Sequence, residues 1–179
     1  MKKIRKKKIK KIGILGGTFD PPHKGHLYIS KVVIKKIKLN KLIWILTKKN
    51  PLKKKPYLNI RTRMSLAKKL VKKEKKIFIK YLENKIKSKS IFDLLNYLKR
   101  KKPKHKLYFL IGADSLVKFN KWKNWKKIPK LAKIVVFPRQ NYSMNSLNND
   151  VARNIDKKDW IYVKAKKINI SSSLIRKFW

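Results

Sequence analysis

Phosphate chemistry is the clearest signal in this chain, concentrated in Gly16-Gly17-Thr18-Phe19-Asp20-Pro21-Pro22-His23-Lys24-Gly25-His26. The apolar alternation Ile9, Ile12, Ile14 precedes this run, and a helix-like segment follows from near Leu27. A small-residue turn between a strand and a helix start offers free backbone N–H groups to an anion. His23 and His26 are two of only three histidines. Imidazole N–H groups donate to phosphate oxygens, and a protonated ring neutralises charge developing on a phosphate leaving group. Gly25 between them lets the backbone approach a ligand closely. The alternatives are ordinary helix-start residues or half of a metal site. A metal needs more ligands, and the third histidine, His105, sits in a lysine-rich turn.

Two more stretches carry chemistry. Ile111-Gly112-Ala113-Asp114-Ser115-Leu116 follows an apolar run, so Asp114 is either a helix N-cap or an acceptor for a sugar hydroxyl. Ile170-Ser171-Ser172-Ser173-Leu174-Ile175-Arg176 reads as serines capping a helix. It also reads as hydroxyls, N–H groups and a guanidinium gathered on a terminal phosphate. Trp122 and Trp125 are three apart, which suits a shared helix face in a core or a stacking surface for a flat heterocycle.

The elements that would position these residues alternate along the chain. Strand-like runs are Ile9–Leu15, Leu42–Leu46, Ile77–Tyr81, Leu107–Ile111, Ile134–Phe137 and Trp160–Val163. Helical periodicity covers Leu27–Ile37, Ile60–Val71, Ile91–Arg100, a turn or two around Trp125–Leu131, and Ser173–Phe178. This alternation predicts an α/β fold, a doubly wound parallel sheet with helices on both faces in three layers. Ligands on such sheets collect at the carboxyl ends of strands, where the first loop leaves its strand. Asn50–Pro56 and Asn141–Asn154 read as surface loops, and no internal repeat is evident.

Composition bounds the remaining classes. The chain has 179 residues, enough for one domain with a real core, with residues 1–8 as a basic N-terminal extension. It carries 53 Lys and Arg against 8 Asp and Glu, a formal charge of +45, which attracts any polyanion. The lysines are spread over the whole length, however, and Ile, Asn, Phe and Tyr are also abundant. These are residues with A- and T-rich codons, so the charge reads as genome composition and no specific nucleic acid is expected. With no cysteine, disulfides and thiol chemistry are excluded. No secretory leader or membrane span is evident, so a cytoplasmic protein without a membrane partner is expected.

These motifs together resemble the nucleotidylyltransferase superfamily with the His-x-Gly-His signature. They look most like bacterial nicotinate-nucleotide adenylyltransferases. The resemblance rests on Gly16–His26, Asn50-Pro51-Leu52-Lys53, Gly112–Leu116, Trp122 and Ile170–Arg176, nearly the whole chain. Asp20-Pro21-Pro22-His23 separates it from the pantetheine enzymes, which typically begin the signature with Thr. The resemblance implies a Rossmann-like fold and transfer of the adenylyl group of ATP to nicotinate mononucleotide, with magnesium arriving on ATP and no resident metal. It implies that His23, His26 and Arg176 act on the phosphates. ATP would be bound by Gly16, Gly17, Thr18, Phe19, Gly25, Gly112, Asp114, Ile170, Ser171 and Ser172. Lys53, Ser90 and Trp122 would face the nicotinate nucleotide. Ser88-Lys89-Ser90-Ile91-Phe92-Asp93 departs from the family's threonine-containing stretch, with Ser90 expected to substitute.

The runners-up are a phosphopantetheine or nicotinamide-mononucleotide acceptor and, in another class, a basic nucleic-acid-binding protein. Oligomeric state is left open. A nucleic-acid function predicts that log affinity falls by roughly 0.9 per neutralised phosphate per log unit of salt. Titration of a mixed-sequence duplex at several salt concentrations checks this. The enzyme reading expects only weak, sequence-independent binding.

Overall fold

The computed structural model describes residues 9–49, 55–139, 142, 155–166 and 169–179. Six strands form one fully parallel sheet in the order β3-β2-β1-β4-β5-β6. They are β1 (Lys11–Gly17), β2 (Lys41–Leu46), β3 (Ile77–Tyr81), β4 (Lys106–Gly112), β5 (Lys133–Phe137) and β6 (Trp160–Tyr162). The order reverses between β1 and β4. Chain segments leaving those two strands therefore diverge and open a crevice at the carboxyl edge.

Alternation along the strands loads both faces. Ile12, Ile14, Ile43, Ile45, Phe109, Ile111, Ile134 and Val136 join one core cluster with Leu94 and Leu95 of α4 (Ile91–Lys101). Leu15, Leu42, Trp44, Leu46, Leu110 and Val135 join the other. There they meet Ile29 and Val33 of α1 (Lys24–Ile37) and Ala67 of α2 (Ile60–Leu70). Side chains alternate across a strand, so one run of apolar residues feeds two cores. The predicted doubly wound, three-layer architecture is the one observed.

Boundaries differ in instructive places. β1 runs from Lys11 to Gly17 rather than Ile9 to Leu15, because its pairing with β2 continues to Gly17 opposite Leu46, while Ile9 is exposed. α1 begins at Lys24, three residues before the expected start. His23 serves as its N-cap, accepting from the Gly25 N–H, and His26 accepts from the His23 N–H. One short helix was unforeseen, α3 (Glu83–Ile86), whereas α5 (Ala113–Val117) begins before the Asp114 cap expected of it. The region around Trp125 is a 3-10 turn (Trp125–Lys127) continuing into α6 (Ile128–Leu131). The last helix is α7 (Ser172–Ile175) with a 3-10 turn over Arg176–Phe178. Residues 1–8 and most of the expected 141–154 loop lie outside the described residues.

Leu95 is fully buried between α4 and the sheet, whereas Phe178 is 84% exposed. Leu95→Ala is expected to lower unfolding free energy by about 2–5 kcal/mol. Phe178→Ala should change it by no more than about 0.5 kcal/mol in the same denaturant titration.

Candidate active site

A cavity of about 630 Å³ lies at the carboxyl edge of the sheet, at the β1/β4 reversal. That volume suits a small-molecule site. The three sequence motifs meet on its walls: Gly16–Phe19, His23, Gly25 and His26 from the first, Gly112 and Asp114 from the second, Ile170–Ser173 and Arg176 from the third. Trp122 also lines it. Segments more than 150 residues apart in sequence are bonded directly, since the Ser172 hydroxyl donates to the Pro21 carbonyl at 2.8 Å (|i−j| = 151).

The histidines are held by backbone. His23 Nδ1 accepts from the Gly25 N–H at 3.2 Å, and His26 Nδ1 accepts from the His23 N–H at 3.2 Å. A ring accepting at Nδ1 in the neutral state carries its proton on Nε2. His23 is buried, and that burial, with the Arg139 charge second, pushes its imidazole down to about 4. At neutral pH, without ligand, His23 is thus a neutral donor. The two rings lie 3.9 Å apart by centroid. Gly25 owes its identity to this packing as much as to any ligand. A Cβ there would stand 2.9 Å from His23 Nδ1 and 3.0 Å from Ile170 Cγ2.

Behind the histidines stands an aromatic wall. Phe19 has a left-handed backbone, φ 49°, and its buried ring stacks on Trp44 at 4.9 Å and meets His26 at 4.7 Å. Phe19 therefore supports His26 with its side chain, and only its backbone is suited to the ATP contact expected of it. Trp44 Nε1 donates to Ser30 Oγ at 2.8 Å, and Ser30 Oγ donates to the His26 carbonyl at 2.7 Å.

Asp114 is not the expected N-cap, because Gly112 takes that position and Asp114 falls in the first turn of α5. Its Oδ1 stands 3.7 Å from Arg139 Nε. Neither atom has a hydrogen-bond partner among the described residues, although both are buried. A Cβ on Gly112 would fall 2.3 Å from the same Asp114 oxygen, so glycine is what lets this carboxylate turn back over the strand end.

On the third wall, Ser171 caps α7, its hydroxyl oxygen accepting from the Leu174 N–H at 3.1 Å. Arg176 donates to the Asp20 carbonyl, lies 3.6 Å from its carboxylate, and stands over the Tyr57 ring at 5.2 Å. Trp122 is half-buried beside Phe109 and Phe119, with ring centroids 5.9 and 5.1 Å away. It sits between two 3-10 turns, so it shares no helix face with Trp125.

One expected residue is not brought together with these. Ser90 does not line the cavity, and its hydroxyl instead caps α4, accepting from the Asp93 N–H at 3.4 Å. Asp93 also accepts from the Ser88 hydroxyl and Lys123, so the serines of this turn serve its own geometry. Lys53 lies outside the described residues.

Arg63, Tyr57 and Arg139 escaped the reading by sequence. The last two line the cavity, whereas Arg63 is buried below it. Only Arg63 left a trace, since it shares an i, i+4, i+8 stripe with Ala67 and Val71, both buried. A charge on an apolar stripe signals a built internal partner set.

The profile described as cytidylyltransferase-like matches residues 14–178. A probable nicotinate-nucleotide adenylyltransferase of Pelagibacter ubique (strain HTCC1062) is 45% identical over 167 residues, covering 93% of this chain and 92% of that protein. The probable enzyme of the same name from Clostridium tetani is 35% identical over 172 residues, covering 94% and 86%. The fold is similar to that of Plasmodium falciparum nicotinic acid mononucleotide adenylyltransferase complexed with NaAD, with a TM-score of 0.78 at 21% identity, covering 94% of this chain and 83% of that one. With the match running from the first phosphate motif through the last, the chain belongs to the nicotinate-nucleotide adenylyltransferase family, within the cytidylyltransferase-like proteins.

Proposed function

We propose that this chain transfers the adenylyl group of ATP to nicotinate mononucleotide, giving nicotinate adenine dinucleotide and pyrophosphate. The observation that carries this reading is the convergence of three phosphate-type motifs on one cavity at the sheet reversal. A phosphate oxygen of the mononucleotide attacks the α-phosphorus of ATP in line. The new P–O bond forms as the bond from the α-phosphorus to the bridging oxygen breaks, and pyrophosphate leaves with that electron pair. A phosphate monoester is already a competent nucleophile, so no general base is required. Catalysis then rests on positioning and charge stabilisation.

In this reading the Gly17 and Thr18 backbone N–H groups, with Gly16 beside them, hold the reacting phosphates. His23 and His26 contact the triphosphate. His23 binds it as a neutral Nε2–H donor whose pKa rises once the anion is beside it. Asp114 Oδ1, buried with no donor among the described residues, accepts from a ribose hydroxyl, with Gly112 against the adenosine. Ser171 still has its hydroxyl proton to donate to the β and γ phosphates. Ser172 has committed its own to Pro21 and must release it or bind through its backbone N–H. Arg176 has N–H groups left beyond those bound to Asp20 and Ser173. Trp122 offers a ring face to the nicotinate, and Lys53 a charge to its nucleotide. Ser90 is not part of this assignment. Magnesium enters as part of the ATP substrate. The reading describes a single-domain cytoplasmic enzyme.

Purified protein with ATP, magnesium and, in separate reactions, nicotinate mononucleotide, nicotinamide mononucleotide or phosphopantetheine tests the reading through pyrophosphate release. The nicotinate nucleotide should give the highest kcat/KM. Release with none would overturn the enzyme, and preference for another acceptor would reassign it. His26→Ala should lower turnover by about 100-fold or more without unfolding the protein. Unchanged turnover removes His26 from the mechanism.

His23 also predicts a pH dependence of stability. Its folded pKa of about 4 lies below the ordinary value of 6.5, so the unfolded chain binds its proton first as pH falls. Its contribution to stability is whole above about pH 6.5 and is lost progressively down to about pH 4. Denaturant titrations across that window should show less of this loss in His23→Gln than in the wild type.

A further inference from the structure

We propose that Arg63 and Asp20 form a buried latch that holds the phosphate loop in its working shape, which makes both of them positioning residues for the transfer. The proposal rests on the function proposed above, since it assigns these two residues a role in that reaction. Arg63 is 1% exposed, yet among the described residues no carboxylate bonds to it. Its guanidinium is spent on four backbone carbonyls. Nε donates to Leu58 at 2.9 Å, Nη1 to Thr18 and to Thr47 (2.8 Å), and Nη2 to Lys48 at 3.2 Å. These carbonyls belong to three separate segments: the loop after β1, the end of β2, and the approach to α2. A planar fork of fixed geometry sets the spacing among all three. A lysine ammonium presents its donors from one point and cannot.

Asp20 closes the other half. Its carboxylate, 3% exposed, accepts from the Tyr57 N–H at 2.8 Å and the Leu58 N–H at 3.0 Å. Leu58 is thus gripped at its N–H by Asp20 and at its carbonyl by Arg63. Asp20 also lies beside Arg176, which reaches the cavity from the far end of the chain.

The step from anchoring to catalysis passes through Phe19. One of the carbonyls that Arg63 holds is Thr18's, and the next residue takes a left-handed backbone uncommon for a non-glycine residue. A trans peptide points the Phe19 N–H away from the carbonyl and hence away from Arg63. It also delivers the Phe19 ring to Trp44 and His26. The same bond therefore governs the orientation of a loop N–H and the seat of His26. Loosening it costs alignment of the phosphates rather than a direct contact with them.

The test compares Arg63→Lys and Asp20→Asn with the wild type and with Val71→Ala, which opens a small gap at the C-cap of α2, in line with Arg63 and Ala67, without touching the loop. Each is assayed for pyrophosphate release with ATP, magnesium and nicotinate mononucleotide below its own midpoint of unfolding. Folded protein is counted by near-ultraviolet circular dichroism. Arg63→Lys and Asp20→Asn should lose about tenfold or more in kcat per folded molecule. Val71→Ala should lose stability and keep its kcat. Wild-type kcat in either folded latch variant overturns the latch while leaving the enzyme intact. Failure of both to fold overturns it too, by making the pair a stability element alone. An inactive wild type instead overturns the underlying reaction.

Discussion

A buried guanidinium surrounded by carbonyl oxygens is the constraint on which the rest of this site depends. Arg63 cannot be deprotonated at any working pH, and it cannot be left without partners in the interior. Thr18, Thr47, Lys48 and Leu58 must therefore turn their carbonyls toward it, whatever else their loops do. Parallel strands end in loops with many conformations. Here the ends of β1 and β2 are tied to a single side chain on α2, and the ligand meets a surface already shaped there. Shape fixed before binding is what phosphate chemistry without covalent intermediates needs, because its rate comes from alignment.

Acidic residues are scarce in this chain, and their placement is informative for that reason. Asp20 and Asp114 line the cavity. Asp20 accepts from two backbone N–H groups with Arg176 beside it, whereas Asp114 keeps a buried oxygen that has no donor among the described residues. One carboxylate builds the site and the other is left to receive a ligand. Meanwhile the surface lysines raise the potential around the cavity without shaping it. That broad field favours the approach of ATP and of any other anion alike, so it contributes to encounter rather than to selectivity.

Much of this was legible in the sequence because parallel strands buried on both faces read as short continuous apolar runs, and because phosphate-binding turns need particular small residues. Ile43 to Leu46 and Leu107 to Ile111 could hardly be anything else. The start of α1 was not legible, since histidine is an uncommon cap and His23 and His26 cap one another through their rings. Asp114 and Ser90 were ambiguous for a shared reason: a short polar side chain after a strand or before a helix caps a backbone as readily as it meets a ligand. Arg63 was hidden in plain composition. One basic residue among 53 draws no notice until its helical stripe is drawn and Ala67 and Val71 appear beside it.

The central claim is that a phosphate cradle stands ready before the nucleotide arrives, held from beneath by Arg63. A crystal structure of the protein with a non-hydrolysable ATP analogue tests it most directly. The account predicts the α-phosphate against the backbone of Gly17 and Thr18, the β and γ phosphates between the two histidines and Arg176, and the Arg63–Thr18 bond still made. A nucleotide bound elsewhere, or a loop that breaks that bond to admit it, would contradict the account.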